Sequence, residues 1–106
     1  MIVRQALFDG TIHAGREAEF RRFVSERLMP MWRRFVGVRR VEVMFALERD
    51  EGAPSYPLVL AMTFDDAAAL TEALNAPVRF ESRAETGELM KMFDGWIHHH
   101  VFELAE

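Results

Sequence analysis

At 106 residues the chain is long enough for one hydrophobic core and one domain, spanning residues 1–106. Half of it is hydrophobic and 28% is charged, a globular composition, and the absence of cysteine excludes disulfides, thiolate metal sites and cysteine nucleophiles. The net charge of −4 conceals an imbalance, because residues 1–49 hold ten Arg against six acids and residues 50–106 hold three basic residues against eleven acids. Contact between the two halves in a compact fold neutralises this difference. The competing reading is a nucleic-acid surface built on Arg33, Arg34, Arg39 and Arg40 beside Trp32. It conflicts with the acidic whole chain and the lack of Lys clustering. No apolar run approaches the ~20 residues that span a bilayer. The N-terminus has an early Arg and no long apolar segment, so a cytoplasmic protein without a membrane or nucleic-acid partner is expected.

Residues 1–8 read as a strand with Ile2, Arg4, Ala6 and Phe8 on one face and Val3, Gln5 and Leu7 on the other. Asp9-Gly10-Thr11 is turn chemistry. From about Gly15 the period becomes helical, with Phe20, Phe23, Val24, Leu28, Met31, Trp32 and Phe35 in one stripe. Pro30 cannot donate to the preceding turn and clashes with it, which predicts a kink or break and a short second segment at residues 31–35. Val36-Gly37 stops the helix. Residues 38–48 then form the clearest strand, with Val41, Val43, Phe45 and Leu47 on a core face and Arg40, Glu42, Met44, Ala46 and Glu48 on a mixed one.

Residues 49–57 are a loop, and Leu58–Phe64 is a strand apolar on both faces, as a central strand should be. Asp65 or Asp66 caps a short helix carrying Ala67, Leu70, Ala73 and Leu74, which Asn75-Ala76-Pro77 ends. A further helical stretch, about residues 78–93, carries Phe80, Leu89, Met92 and Phe93, and Gly87 weakens its middle. Asp94-Gly95 turns the chain into a last strand, residues 95–104. Strand alternation there places Trp96, His98, His100 and Phe102 on one face and Ile97, His99 and Val101 on the other.

The order β-α-β-β-α-β is the ferredoxin-like pattern, an α+β fold whose four-stranded antiparallel sheet has helices on one face. Its other face is then bare. Because the third strand presents apolar residues on either side, the bare face is an association surface, and a homodimer with sheets packed face to face is the simplest way to cover it.

The chain resembles the EthD-like family within the dimeric α/β-barrel superfamily. The resemblance rests on Glu17 to Phe23 (E-A-E-F-R-R-F), the kinking Pro30 and the strand entry at Gly37-Val38. It continues in Phe64-Asp65-Asp66, Ala76-Pro77 and Phe93-Asp94-Gly95. It implies a homodimer with a pocket between sheet and helices in each protomer. It also implies a small cofactor-independent enzyme (an oxygenase, decarboxylase, cyclase or isomerase) acting on a hydrophobic or aromatic small molecule. The alternative is a non-catalytic ligand-binding or accessory protein of a degradation or biosynthesis pathway. Members of the family often carry a His two residues before the proline of the first helix. Leu28 stands there in this chain, which removes one candidate for acid–base work.

His98 and His100 are the leading catalytic candidates. An imidazole beside apolar walls has its pKa lowered by desolvation and can exchange a proton near neutral pH. Two on one strand face stand about 7 Å apart, at a rise of ~3.3 Å per residue. As hydrogen-bonded filler in a dimer interface they would do no chemistry, and a metal site would need a third ligand from Glu42, Glu48 or His13; no cofactor or metal is expected. Trp32, Trp96 and Tyr56 are candidate pocket walls, and Arg4 can anchor a substrate carboxylate or phenolate. Arg40 can do the same, although pairing with Glu42 or Glu48 is its simpler use. No phosphate-binding glycine loop, nucleophile elbow or H-E-x-x-H occurs, so nucleotide binding, serine hydrolysis and zinc proteolysis lack support.

Overall fold

The computed structural model describes residues 1–105. The chain runs β1 (Ile2–Ile12), α1 (Glu17–Phe23), a π-helical turn (Val24–Leu28), α2 (Met29–Trp32), β2 (Arg40–Phe45), β3 (Leu58–Phe64), α3 (Ala67–Leu74), α4 (Pro77–Leu89), a 3₁₀ turn (Met90–Met92) and β4 (Phe93–Glu103). The strands form one antiparallel sheet in the order β2-β3-β1-β4, which is the ferredoxin-like α+β arrangement. β3 lies inside the sheet, and its apolar character on both faces follows from that position. Among the described residues no helix is long and apolar enough to cross a membrane.

Register assigns each side chain to a layer. Ile2, Arg4, Ala6 and Phe8 lie opposite Phe64, Met62, Leu60 and Leu58 and face the helices. On the far side of β1, Ala6 pairs with His99 and Phe8 with Ile97, which brings these two β4 residues to the same face. The core closes where this face meets Phe20, Val24, Leu28 and Trp32 of the first helical segment, Leu70 and Ala73 of α3, and Val78 and Leu89 of α4. Fully burying a side chain such as Phe20 or Leu28 stabilises the fold by about 1.5–3 kcal/mol.

The break expected at Pro30 takes the form of the π-helical turn just before it. The wider turn makes room for a ring that an α-helical turn would meet with a carbonyl. Between the two candidate caps the structure chooses Asp66, which accepts the Ala69 amide at 2.8 Å. Asp65 instead holds Arg39 in a two-pronged pair at 2.9 and 2.8 Å. Arg34 with Glu81 at 3.4 Å and Arg27 with Glu85 also join the basic half of the chain to the acidic half.

Three boundaries differ from the sequence reading. β2 stops at Phe45, so Leu47 is not on a core face but 96% exposed in the loop that follows. Asp9-Gly10-Thr11 and Asp94-Gly95 are not turns. They extend β1 and β4, with Gly10 directly opposite Gly95 at φ +153° in both. A Cβ on either would fall on a backbone carbonyl of the facing strand, so these glycines serve close approach rather than chain reversal.

Candidate functional site

Between the sheet and α4 lies a cavity of about 320 Å3, near the lower end of the range for small-molecule sites. Its floor is apolar and buried: Ala6 and Phe8 from β1, Leu60 and Met62 from β3, with Trp32 and Phe35 as a wall. Arg4, Ile97 and His99 complete the sheet side. The opposite side is one face of α4, where Arg79, Ser82, Arg83 and Thr86 follow the spacing of successive helical turns. The Ser82 hydroxyl donates to the Arg79 carbonyl and the Thr86 hydroxyl to the Ser82 carbonyl, each at 2.8 Å. Both protons are engaged inside the helix, so on the α4 side the hydrogen-bond donors offered to the cavity come from the guanidinium groups.

His99 sits at the exposed mouth of this cavity. Desolvation, and then the positive charges of Arg4 and Arg79 and its neighbour His98, hold its pKa down to about 4. The imidazole is therefore neutral at pH 7. Arg4 is itself pushed below the usual guanidinium range by burial and by Arg79. The Arg79 guanidinium reaches the Leu74 carbonyl at 3.4 Å and lies 5.3 Å from the Phe80 ring centroid.

Of the residues singled out in the sequence, Arg4 and Trp32 meet here. His98 and His100 do not: they stand on the open face of the sheet, opposite Leu7 and Gln5 of β1. His98 Nε2 lies 3.1 Å from Asp9 Oδ2 and also faces Trp96 Nε1. One nitrogen either carries a proton and donates to Asp9 or is bare and accepts from Trp96, so it serves one of them at a time. His100 stacks on Phe102 at 5.9 Å. Tyr56 lines a separate hollow of the 46–57 loop, and Trp96 is exposed beside His98. Arg40 pairs with Glu42 at 3.2 Å on the open face. His13 bonds Asp94 at 2.9 Å, and no group of three His, Cys, Asp or Glu placed to hold a metal occurs among the described residues.

Sequence reasoning passed over Arg79, Ser82, Arg83, Thr86 and the middle histidine. Their signal was present, as a polar stripe along one face of α4 and as the alternation that separates His99 from its neighbours.

No family model matches the chain, and no curated protein matches it. Solved structures do. An EthD family protein from Bacillus halodurans is 19% identical with a TM-score of 0.76, covering 99% of each chain. A dimeric protein of unknown function and ferredoxin-like fold from Bacteroides fragilis is 12% identical with a TM-score of 0.69, covering 97% of this chain and 95% of its own. A variant of SnoaB, a cofactor-independent oxygenase from Streptomyces nogalater, is 20% identical with a TM-score of 0.64, covering 99% of this chain and 93% of its own. At these identities the likeness is one of fold, and it is the fold that the sequence resemblance implies.

Proposed function

We propose that the protein is a small enzyme that acts on a hydrophobic or aromatic small molecule held between the sheet and α4, without a tightly bound cofactor, and that His99 is its proton-transferring group. The carrying observation is the cavity itself, with a buried apolar floor and a neutral imidazole at its mouth. An imidazole without a proton has a lone pair to accept one, and Trp32 and Phe35 offer flat surfaces to an aromatic ring. That the same fold serves the cofactor-independent oxygenase SnoaB supports chemistry carried by protein side chains alone.

A pKa of about 4 makes His99 a weak base, and this favours the second reading, a protein that holds such a ligand without altering it. The two separate on one residue. Aromatic compounds retained by the wild-type protein in native mass spectrometry are followed for turnover in wild type and His99→Gln. The enzyme reading expects ligand retention in both and a loss of roughly 10²–10⁴-fold in rate in the variant. Equal turnover in the variant would remove His99 from the chemistry, and retention without turnover in the wild type would leave the carrier.

We propose further that two copies associate through their open sheet faces. Trp96 and Phe102 are 60% and 50% exposed there, and Met44 of β2 is exposed at the opposite edge of the same face. That the fold-sharing protein from Bacteroides fragilis is dimeric supports the association of two copies. In this reading His98 and His100 are interface groups, and the chemistry of the cavity falls to His99.

A further inference from the structure

Resting on the functional reading of the cavity between sheet and α4, we infer that its ligand is an amphiphilic organic anion: an aromatic body that lies against Trp32 and Phe35 and carries one anionic oxygen group that meets Arg4, Arg79 and Arg83. Three guanidinium groups line the cavity and no Asp or Glu does. Among the described residues none of the three forms an ion pair with a carboxylate, whereas Arg16, Arg27, Arg34, Arg39 and Arg40 all do. Arg21, Arg22, Arg33 and Arg49 also lack such a pair, but they are exposed and do not line the cavity, whereas Arg4 is half-buried there and close enough to Arg79 to be affected by its charge.

Like charges held together in a partly desolvated space are unfavourable, and an anion that enters relieves the repulsion while gaining charge-assisted hydrogen bonds. The low-dielectric floor strengthens the attraction. Arg79 and Arg83 lie one helical turn apart on α4, and Arg4 comes from the sheet, so a flat carboxylate or phenolate can be approached from two sides. The dimensions limit the rest of the molecule, because about 320 Å3 suits one or two rings better than an extended chain.

The anion also completes the acid–base chemistry. Arg4 and Arg79 are two of the causes that depress His99. Desolvation, the largest cause, stays, but a bound negative charge offsets the two arginines and moves the imidazole upward, which makes it a better base.

The test compares binding of 1-naphthoate, 2,4-dinitro-1-naphtholate and the uncharged 1-naphthamide to the full chain by calorimetry at pH 7. At least one anion is expected to bind ten or more times tighter than the amide. That preference should shrink at least threefold in each of Arg4→Gln, Arg79→Gln and Arg83→Gln, and Arg83→Lys should keep most of it. Whichever anion wins assigns the group as carboxylate or phenolate. Raising the salt concentration should weaken the anions and leave the amide unchanged. Amide binding as tight as both anions, or a preference untouched by all three glutamine variants, would overturn the inference while leaving the cavity as a small-molecule site. Failure of all three probes to bind the wild type would count against the cavity reading as well. Far-ultraviolet circular dichroism of each variant separates loss of binding from loss of fold, and the exposed Arg83 is the position least able to disturb the core.

Discussion

His99 is held in its neutral form by its surroundings, and that has a consequence for stability that can be read without any ligand. In the unfolded chain a histidine titrates near 6.5, whereas in the fold desolvation and two arginines bring this one to about 4. Between those values the unfolded state binds a proton that the native state does not, so stability falls as pH drops from about 6.5 towards 4. Urea midpoints measured from pH 7.5 down to pH 4.5 should decline in the wild type, with a shallower decline in His99→Gln. The lowered carboxyls of Asp65 and Glu19 also destabilise the fold on acidification, but they act from the ordinary carboxylate range downward and leave the upper part of the window to His99. An unchanged slope in the variant would show that the imidazole is solvated and ordinary. The histidine triplet illustrates what one residue's position in a sequence tells. Alternation separates His99 from His98 and His100, but which face meets the helices depends on the pairing of β4 with β1, a long-range property that no local pattern carries.

Elements were legible wherever hydrophobic period and local chemistry agreed. The β-α-β-β-α-β order, the central character of β3, the disturbance at Pro30 and the cap before α3 all follow from short stretches of sequence. Two of the misplaced boundaries share a cause: Asp-Gly has the composition of a turn, and here it occurs twice within paired strands. Gly10 and Gly95 face each other at φ +153°, a conformation that side chains resist. Gly95→Ala should destabilise the protein by about 1–3 kcal/mol from backbone conformation alone, with the clash against the Asp9 carbonyl adding to it. Gly87→Ala provides the opposite sign. That glycine is inside α4 with nothing within 4 Å of a new Cβ, so alanine should stabilise by about 0.5–1 kcal/mol. Chemical denaturation of both variants checks the pair. Equal effects would mean that the β1–β4 crossing relaxes freely and that the glycines are incidental. The cavity-facing stripe of α4 was less legible for a different reason. Arg79 and Arg83 look like the solvated face of an amphipathic helix, and only the packing of that helix over the sheet brings them to the cavity's rim.

As a whole molecule the chain is a slab. Its extents are 40 × 30 × 18 Å and its radius of gyration is 14.0 Å, above the ~13 Å expected of a compact domain this size. The flatness follows from having helices on one side of the sheet only. On the other side the central strands place Val3, Leu7, Val59 and Ala61 between polar groups, and the edge strand β4 contributes Trp96 and Phe102. A second copy packed there turns two slabs into a four-layer body and buries both indole rings, and a two-fold axis brings the same patch of each copy together. Sedimentation equilibrium at micromolar concentration should therefore give the mass of a dimer. Trp96→Asp combined with Phe102→Asp should give a monomer with an intact fold, since both side chains lie outside the core. Because the cavity is on the opposite side of the sheet, that monomer should still bind the cavity's ligand, although the shared strand β4 links the two faces. A wild-type monomer would refute the association. A dimer that survives both charges would move it to another surface, with the exposed Leu47 loop, Phe80 and Val101 among the apolar candidates.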